Sequence, residues 1–156
     1  MRTLIDTRIL ILSFKFPYLS IEHKDYPIAL QTKLFVEKIF HNNETILISS
    51  QLAAEVFHVL VNRGVKIPPE HANKYLNALI NHKSVEFKTT SKETISRAFE
   101  LSASSRIHIW DYLVVLPFEN DINRIITMDP HFNHPTLSSI ARIENPINIW
   151  KSEGSD

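Results

Sequence analysis

The chain of 156 residues predicts an α/β fold: a mainly parallel sheet of five strands with helices on both faces. Two observations carry that expectation. Segments of helical period alternate with short apolar runs along the whole chain, and those runs are continuously apolar instead of alternating with polar residues. A strand covered by helices on both faces reads that way, whereas a half-solvated antiparallel strand alternates. No repeat, low-complexity tract or linker interrupts the pattern. Residues 1–150 are therefore expected to form one domain, followed by a flexible tail at 151–156.

The elements follow in order. Residues 3–5 (Thr-Leu-Ile) suit a buried strand, Asp6 follows directly, and residues 7–14 read as a short helix. Residues 15–27 hold two prolines and three aromatics among mixed charges, an expected exposed connection with Asp25 as N-cap of the next helix. Residues 28–40 set Leu30, Leu34, Phe35 and Ile39 near helical spacing. Residues 45–48 are a second buried strand, and Ser49 or Ser50 can cap the helix over 51–62, which Gly64 ends. Pro68 and Pro69 open another helix, with Ala72, Tyr75, Leu76, Leu79 and Ile80 on one side. Residues 85–87 make a weak third strand and 92–104 a helix. Pro117 should end the helix that begins near Trp110, because it lacks an N–H and clashes one turn back. Residues 124–127 form a fourth strand, and 141–149 hold a fifth.

Composition narrows the function. Hydrophobic residues are 44% of the chain and charged residues 22%, so a packed core is expected. Lys plus Arg equals Asp plus Glu at 17 each, which argues against a large nonspecific polyanion-binding surface and permits a local basic patch. There is no cysteine, which removes disulfides, thiolate zinc sites and Cys nucleophiles together. With Gly only at Gly64 and Gly154, neither the dinucleotide fingerprint nor the P-loop can be written. No apolar segment reaches the ~20 residues of a membrane span, and Asp6 and Arg8 interrupt any signal-peptide reading. The expectation is a cytoplasmic protein without membrane attachment.

Residues 107–118 are the most apolar run, yet Asp111 sits in the middle of it. A helix apolar on all sides is buried, so Asp111 needs a cation, backbone donors or a metal ion to offset desolvation. Asp6 and Asp129 both follow strands, at the carboxyl edge where open α/β sheets place ligands. Glu55, early in the helix after the second strand, lies on the same edge at the margin of an apolar stripe. Converged carboxylates about 5 Å apart repel by roughly 3 kcal/mol per pair at an effective dielectric near 20. Such a cluster stays ionised only beside cations, and all-oxygen ligands favour Mg²⁺ or Mn²⁺. Taken singly the acids have ordinary readings: Asp6 and Asp129 as N-caps, Glu55 on a solvated face, Asp111 complementing a helix dipole.

Together these segments resemble the PIN-domain family of nucleases, in particular VapC-like toxin ribonucleases. The resemblance rests on Leu4-Ile5-Asp6-Thr7, on residues 50–55 ending in Glu55, on Trp110-Asp111-Tyr112-Leu113, and on Thr127-Met128-Asp129 with Phe132 following. It covers roughly residues 1–150 and implies a three-layer α/β/α fold with sheet order 3-2-1-4-5. It further implies Mg²⁺- or Mn²⁺-dependent cleavage of RNA by a toxin, with Asp6, Glu55, Asp111 and Asp129 as metal ligands. Thr127 then supports the cluster, and Thr7 and Arg8 contact substrate. A homodimer blocked by a small antitoxin protein is the implied assembly. Arg8 departs from the family, which usually has Asn or a small polar residue there; an arginine can hold a phosphate or pair with an acid.

Other readings are weaker. A haloacid-dehalogenase-type phosphatase needs a second Asp at the place of Arg8, and Glu55 with His58 is only half of a di-iron motif. His131 and His134 are within reach of a shared metal, but a loop role is the simpler reading. No Gly-x-Ser-x-Gly elbow occurs. The main competitor is a PIN-fold module that binds RNA or a protein without cutting, using Phe14, Phe16, Tyr18 and Tyr26 as an exposed aromatic surface.

Overall fold

A computed structural model describes residues 1–151. β1 (Arg2–Ile5) pairs in parallel with β2 (Thr45–Ser49) and with β4 (Arg124–Ile126). β3 (Val85–Lys88) extends the sheet beyond β2 and β5 (Arg142–Glu144) beyond β4, giving the order 3-2-1-4-5 with every pair parallel. The helices are α1 (Thr7–Lys15), α2 (Tyr26–His41), α3 (Ser50–Asn62), α4 (Pro69–Ile80), α5 (Lys92–Ser105), α6 (Ile109–Val115) and α7 (Pro135–Ser138). Crossovers run outward from β1 to β3 and then back past β1 to β4 and β5. Right-handed connections thus put the helices of the two halves on opposite faces, and the three layers follow.

The central strands are apolar because both faces are covered: Leu4, Ile5, Ile46, Leu47, Ile48, Ile125 and Ile126 have no exposed surface. Edge strand β3 is only half-buried, which explains its weak signal. Local signals ended the helices where expected. Ser49 caps α3 by accepting from the Leu52 amide, Gly64 takes the left-handed conformation (φ 60°), and Pro117 lies in a 3₁₀ turn that stops α6.

Four local expectations are corrected. Helix α2 starts at Tyr26 and buries Ala29, Thr32, Val36 and Ile39, leaving Leu34 on the solvent side. Asp25 occupies the N-cap position of α2 but makes no side-chain cap; its carboxylate lies 3.7 Å from Lys151 Nζ. The connection after α1 is exposed at Ser20, Ile21, Glu22 and Lys24 as expected, but it starts from an anchored residue. Lys15 is buried, with Nζ donating to the Arg63 carbonyl (2.6 Å) at the end of α3. The aromatics are not a free platform: Phe14 stacks on Tyr75, Phe16 packs against Tyr26, and Tyr18 hydrogen-bonds His71 and Tyr75. Of the tail expected at 151–156, Lys151 is held by its amide to the Met128 carbonyl (2.7 Å), and residues 152–156 lie outside the described residues. Among the described residues, no helix is long and apolar enough to cross a membrane.

The amino edge of the sheet is tied by Arg124. Its guanidinium donates to Glu44 (2.8 Å), Glu144 (2.6 Å) and the Thr3 hydroxyl (3.0 Å), with Arg124 and Glu44 only 12% and 11% exposed. Burial pushes the Glu44 carboxyl upward, but hydrogen bonds from Thr3 and Arg124 and the guanidinium charge bring it net below its ordinary value of 4.5. Arg124→Met leaves Glu44 without its cation, while Glu144 keeps Arg142, and is expected to cost about 2–4 kcal/mol in urea unfolding at pH 7. A group with a depressed folded pKa stabilises above its unfolded pKa and stops doing so as pH falls through the folded value. The difference between wild type and Arg124→Met should therefore shrink below the ordinary glutamate range.

Candidate active site

At the opposite, carboxyl edge, strand order reverses between β1 and β4, because the chain leaves one toward β2 and the other toward β5. This switch point is where residues after β1 and β4 meet. The Asp6 amide donates to the Ile126 carbonyl (2.9 Å), continuing the ladder one residue past β1. Asp6 is 7% exposed; its Oδ1 accepts from the Thr7 amide (2.8 Å) and its Oδ2 from the Thr127 hydroxyl (2.8 Å). The same hydroxyl accepts from the Asp129 amide (3.0 Å), so Thr127 joins the two acids through one oxygen.

Glu55 arrives from α3. Its Oε2 accepts from the Thr7 hydroxyl (3.0 Å) and its Oε1 from Gln51 Nε2 (2.9 Å). Asp111 is buried in the first turn of α6, and Asp129, also buried, precedes the 3₁₀ turn Pro130–Asn133. The fold thus brings together all four acids singled out in the sequence. Among the described residues, Asp111, Asp129 and His131 form a group whose ligating atoms lie within 4.8 Å of one another. Asp6 and Glu55 join it through Thr7, Thr127 and the charge of Asp129.

His131 was not foreseen in this role. Asp129 Oδ1 accepts from the His131 amide (2.9 Å), which turns the histidine back beside the acid, and His131 Nδ1 lies 3.4 Å from that oxygen. His134 does something else: its Nδ1 accepts from the Thr136 amide and caps α7. The two histidines therefore do not share a site. A signal existed in Asp129-Pro130, since an N-cap followed by proline places the next residue on the first turn over the cap.

A cavity of about 1100 Å³ opens onto Asp6, Glu55 and Asp129. Arg8, Lys15, Lys24, Arg63 and Lys151 also line it, so an acidic end is continuous with a wall rich in cations. Thr7 lines it too, with its hydroxyl turned to Glu55. Trp110, expected to be buried in the apolar run, is 52% exposed at this cavity, and burial of α6 begins only at Asp111.

No protein-family model matches the chain, and no curated protein matches it. Its α/β fold matches that of VapC proteins. VapBC2 from Rickettsia felis, solved bound to a DNA fragment from their promoter, superposes with a TM-score of 0.60 at 18% identity, over 93% of this chain and 100% of that one. Mycobacterium tuberculosis VapC20, a sarcin-ricin loop cleaving toxin, gives 0.56 at 11% identity over 79% of this chain and 86% of that one. What is shared at these identities is the fold.

Burial raises the Asp6 carboxyl from 3.8 to about 7. The Thr127 and Thr7 hydrogen bonds oppose that rise, and the charges of Asp129 and Glu55 add to it. The sign is unfavourable to the ionised form: the folded state keeps a proton that the unfolded chain releases. The metal-free protein should therefore lose stability between pH 4 and 7, by roughly 2–4 kcal/mol from a shift of about three pKa units. Asp6→Asn should flatten that slope in chelator-treated protein, measured by urea unfolding at several pH values.

Proposed function

We propose that this chain is a divalent-metal-dependent endoribonuclease of the toxin type, held in check by a small antitoxin protein, and that it works in the cytoplasm as a homodimer. One observation carries the reading: carboxylates from four separate segments converge at the switch point of the sheet, beside a cavity walled by cations. A cluster of buried acids is costly in isolation, and a divalent ion offsets the cost. The likeness in fold to a toxin that cleaves the sarcin-ricin loop, and to a VapBC complex, supports the same reading.

The donor set fits such an ion. Carboxylate oxygens of Asp111 and Asp129 lie within 4.8 Å of each other and of a ring nitrogen of His131, whose Nδ1 is buried and takes no hydrogen bond. We assign Asp6, Glu55, Asp111 and Asp129 to hold Mg²⁺ or Mn²⁺, directly or through water. When bound, the ion polarises a phosphodiester oxygen and makes water a stronger nucleophile. The protein's own contribution is positioning. Thr127 fixes the Asp6 rotamer and the turn at Asp129; Thr7 and Gln51 hold Glu55. Arg8 and Lys24 stand on the cavity wall, where a phosphate backbone entering the site meets positive charge.

RNA cleavage by purified protein should require Mg²⁺ or Mn²⁺ and stop in chelator, and Asp111→Asn should lower it on the order of 10²-fold or more. Cleavage that ignores chelator and survives Asp111→Asn sinks the assignment. RNA binding without cleavage by folded wild type points instead to a non-cutting module. Thr127→Val should weaken metal binding on the order of tenfold, since it frees the Asp6 carboxylate, while circular dichroism stays unchanged.

A further inference from the structure

We propose that His131 is itself a metal ligand, through Nδ1, and that it makes the site prefer Mn²⁺ over Mg²⁺. The inference rests on the reading of the carboxylate cluster as a metal site and adds a nitrogen ligand from outside the four acids.

Geometry supplies the first argument. Ligating atoms of Asp111, Asp129 and His131 lie within 4.8 Å of one another. Two ligands of one ion with bonds near 2.1–2.3 Å stand roughly 3–4.5 Å apart, so small side-chain adjustments close this group on one ion. The approach is built by the backbone. Asp129 is N-cap of the turn Pro130–Asn133 and accepts from the His131 amide, which fixes the imidazole on the side of the acids. The ring also packs edge-on against His108, with centroids 6.1 Å apart.

Electrostatics supplies the second. His131 Nδ1 is buried, takes no hydrogen bond and stands 3.4 Å from Asp129 Oδ1, beyond the 2.7–3.2 Å of a formed N–H···O bond. A lone pair facing buried carboxylates is repulsive unless a cation lies between them. That cation is a proton, in a simple His–Asp pair, or a metal ion. Asp111 brings a further carboxylate oxygen into the same group, so the cluster offers an ion donors from three side chains.

The chemistry then sets the preference. Mg²⁺ is a hard ion that takes oxygen ligands and keeps its waters, whereas imidazole suits first-row transition ions. Replacing one oxygen ligand by imidazole therefore strengthens Mn²⁺ binding relative to Mg²⁺.

The test uses the full chain, stripped of metal and without RNA. Calorimetric titration should show Mn²⁺ binding at least about tenfold tighter than Mg²⁺. Pulsed electron paramagnetic resonance of the Mn²⁺-loaded protein should show a coupling to one directly bound nitrogen. His131→Ala and His131→Gln should both abolish that coupling and weaken Mn²⁺ on the order of tenfold or more, with little change in Mg²⁺ affinity, whereas His108→Ala should keep the coupling. Mn²⁺ binding by wild type with no nitrogen coupling, or a coupling lost in His108→Ala instead, overturns the role of His131 and leaves the carboxylate site standing. Binding of neither ion by wild type overturns both.

Discussion

Thr127 donates its hydroxyl to Asp6 across the junction of β1 and β4, and the site is built outward from that bond. The bond exists because the two strands are parallel neighbours whose last residues, Ile5 and Ile126, are in register. One residue further along each strand, the chain leaves the sheet at a point where no crossover helix covers the edge. A carboxylate there is walled by apolar strands below and must find its donors locally. Asp6 finds two, one from the next amide and one from Thr127. Because Thr127 also receives the Asp129 amide, any movement of β4 relative to β1 moves two acids at once. Parallel pairing thus sets the separation of the carboxylates, and the helices bring the remaining acids to it.

Charge is divided between the two edges of the sheet in opposite ways. At the amino edge, Arg124 meets Glu44 and Glu144, so acid and base cancel within the fold and the result is structural. At the carboxyl edge, Asp6 accepts from the Thr7 amide and the Thr127 hydroxyl, Asp129 accepts from the His131 amide, and cations line the adjoining cavity. Neutral donors orient the Asp6 carboxylate without offsetting its desolvation. That arrangement costs stability, as the raised Asp6 pKa records, and proteins retain such costs where charge is used.

The fold was legible because its central strands are buried on both faces. Leu4-Ile5, Ile46-Leu47-Ile48 and Ile125-Ile126 could be located from apolar content alone, and the helices between them from period and caps. Strand order is another matter: no local pattern distinguishes which apolar run lies beside which, and 3-2-1-4-5 came with the resemblance to PIN domains. Errors gathered where a side chain's surroundings come from distant segments. Lys15 looked like a solvated charge, yet its ammonium satisfies the Arg63 carbonyl at the end of α3. Leu34 shared the apolar spacing with Ile39, yet α2 buries Ile39 together with Ala29, Thr32 and Val36 and leaves Leu34 exposed. Trp110 looked buried because its neighbours are; it sits one position before the helix turns inward.

The acids were legible for a different reason. Asp6, Asp111 and Asp129 each break an apolar context or follow a strand, so each is conspicuous in one dimension. His131 is not, since histidine is common in this chain and tolerated in loops. Only the capped turn, which folds residue 131 back over residue 129, makes it part of the cluster. This asymmetry bears on what the site can be. Asp6 and Asp129 take their geometry from the sheet, and α3 and α6 bring Glu55 and Asp111 to it. The histidine comes from a turn outside the sheet, so it can be gained or lost without disturbing the strands. On the proposed reading, metal preference is separable from the fold: the sheet determines where carboxylates gather, and the turn after β4 determines whether a nitrogen joins them.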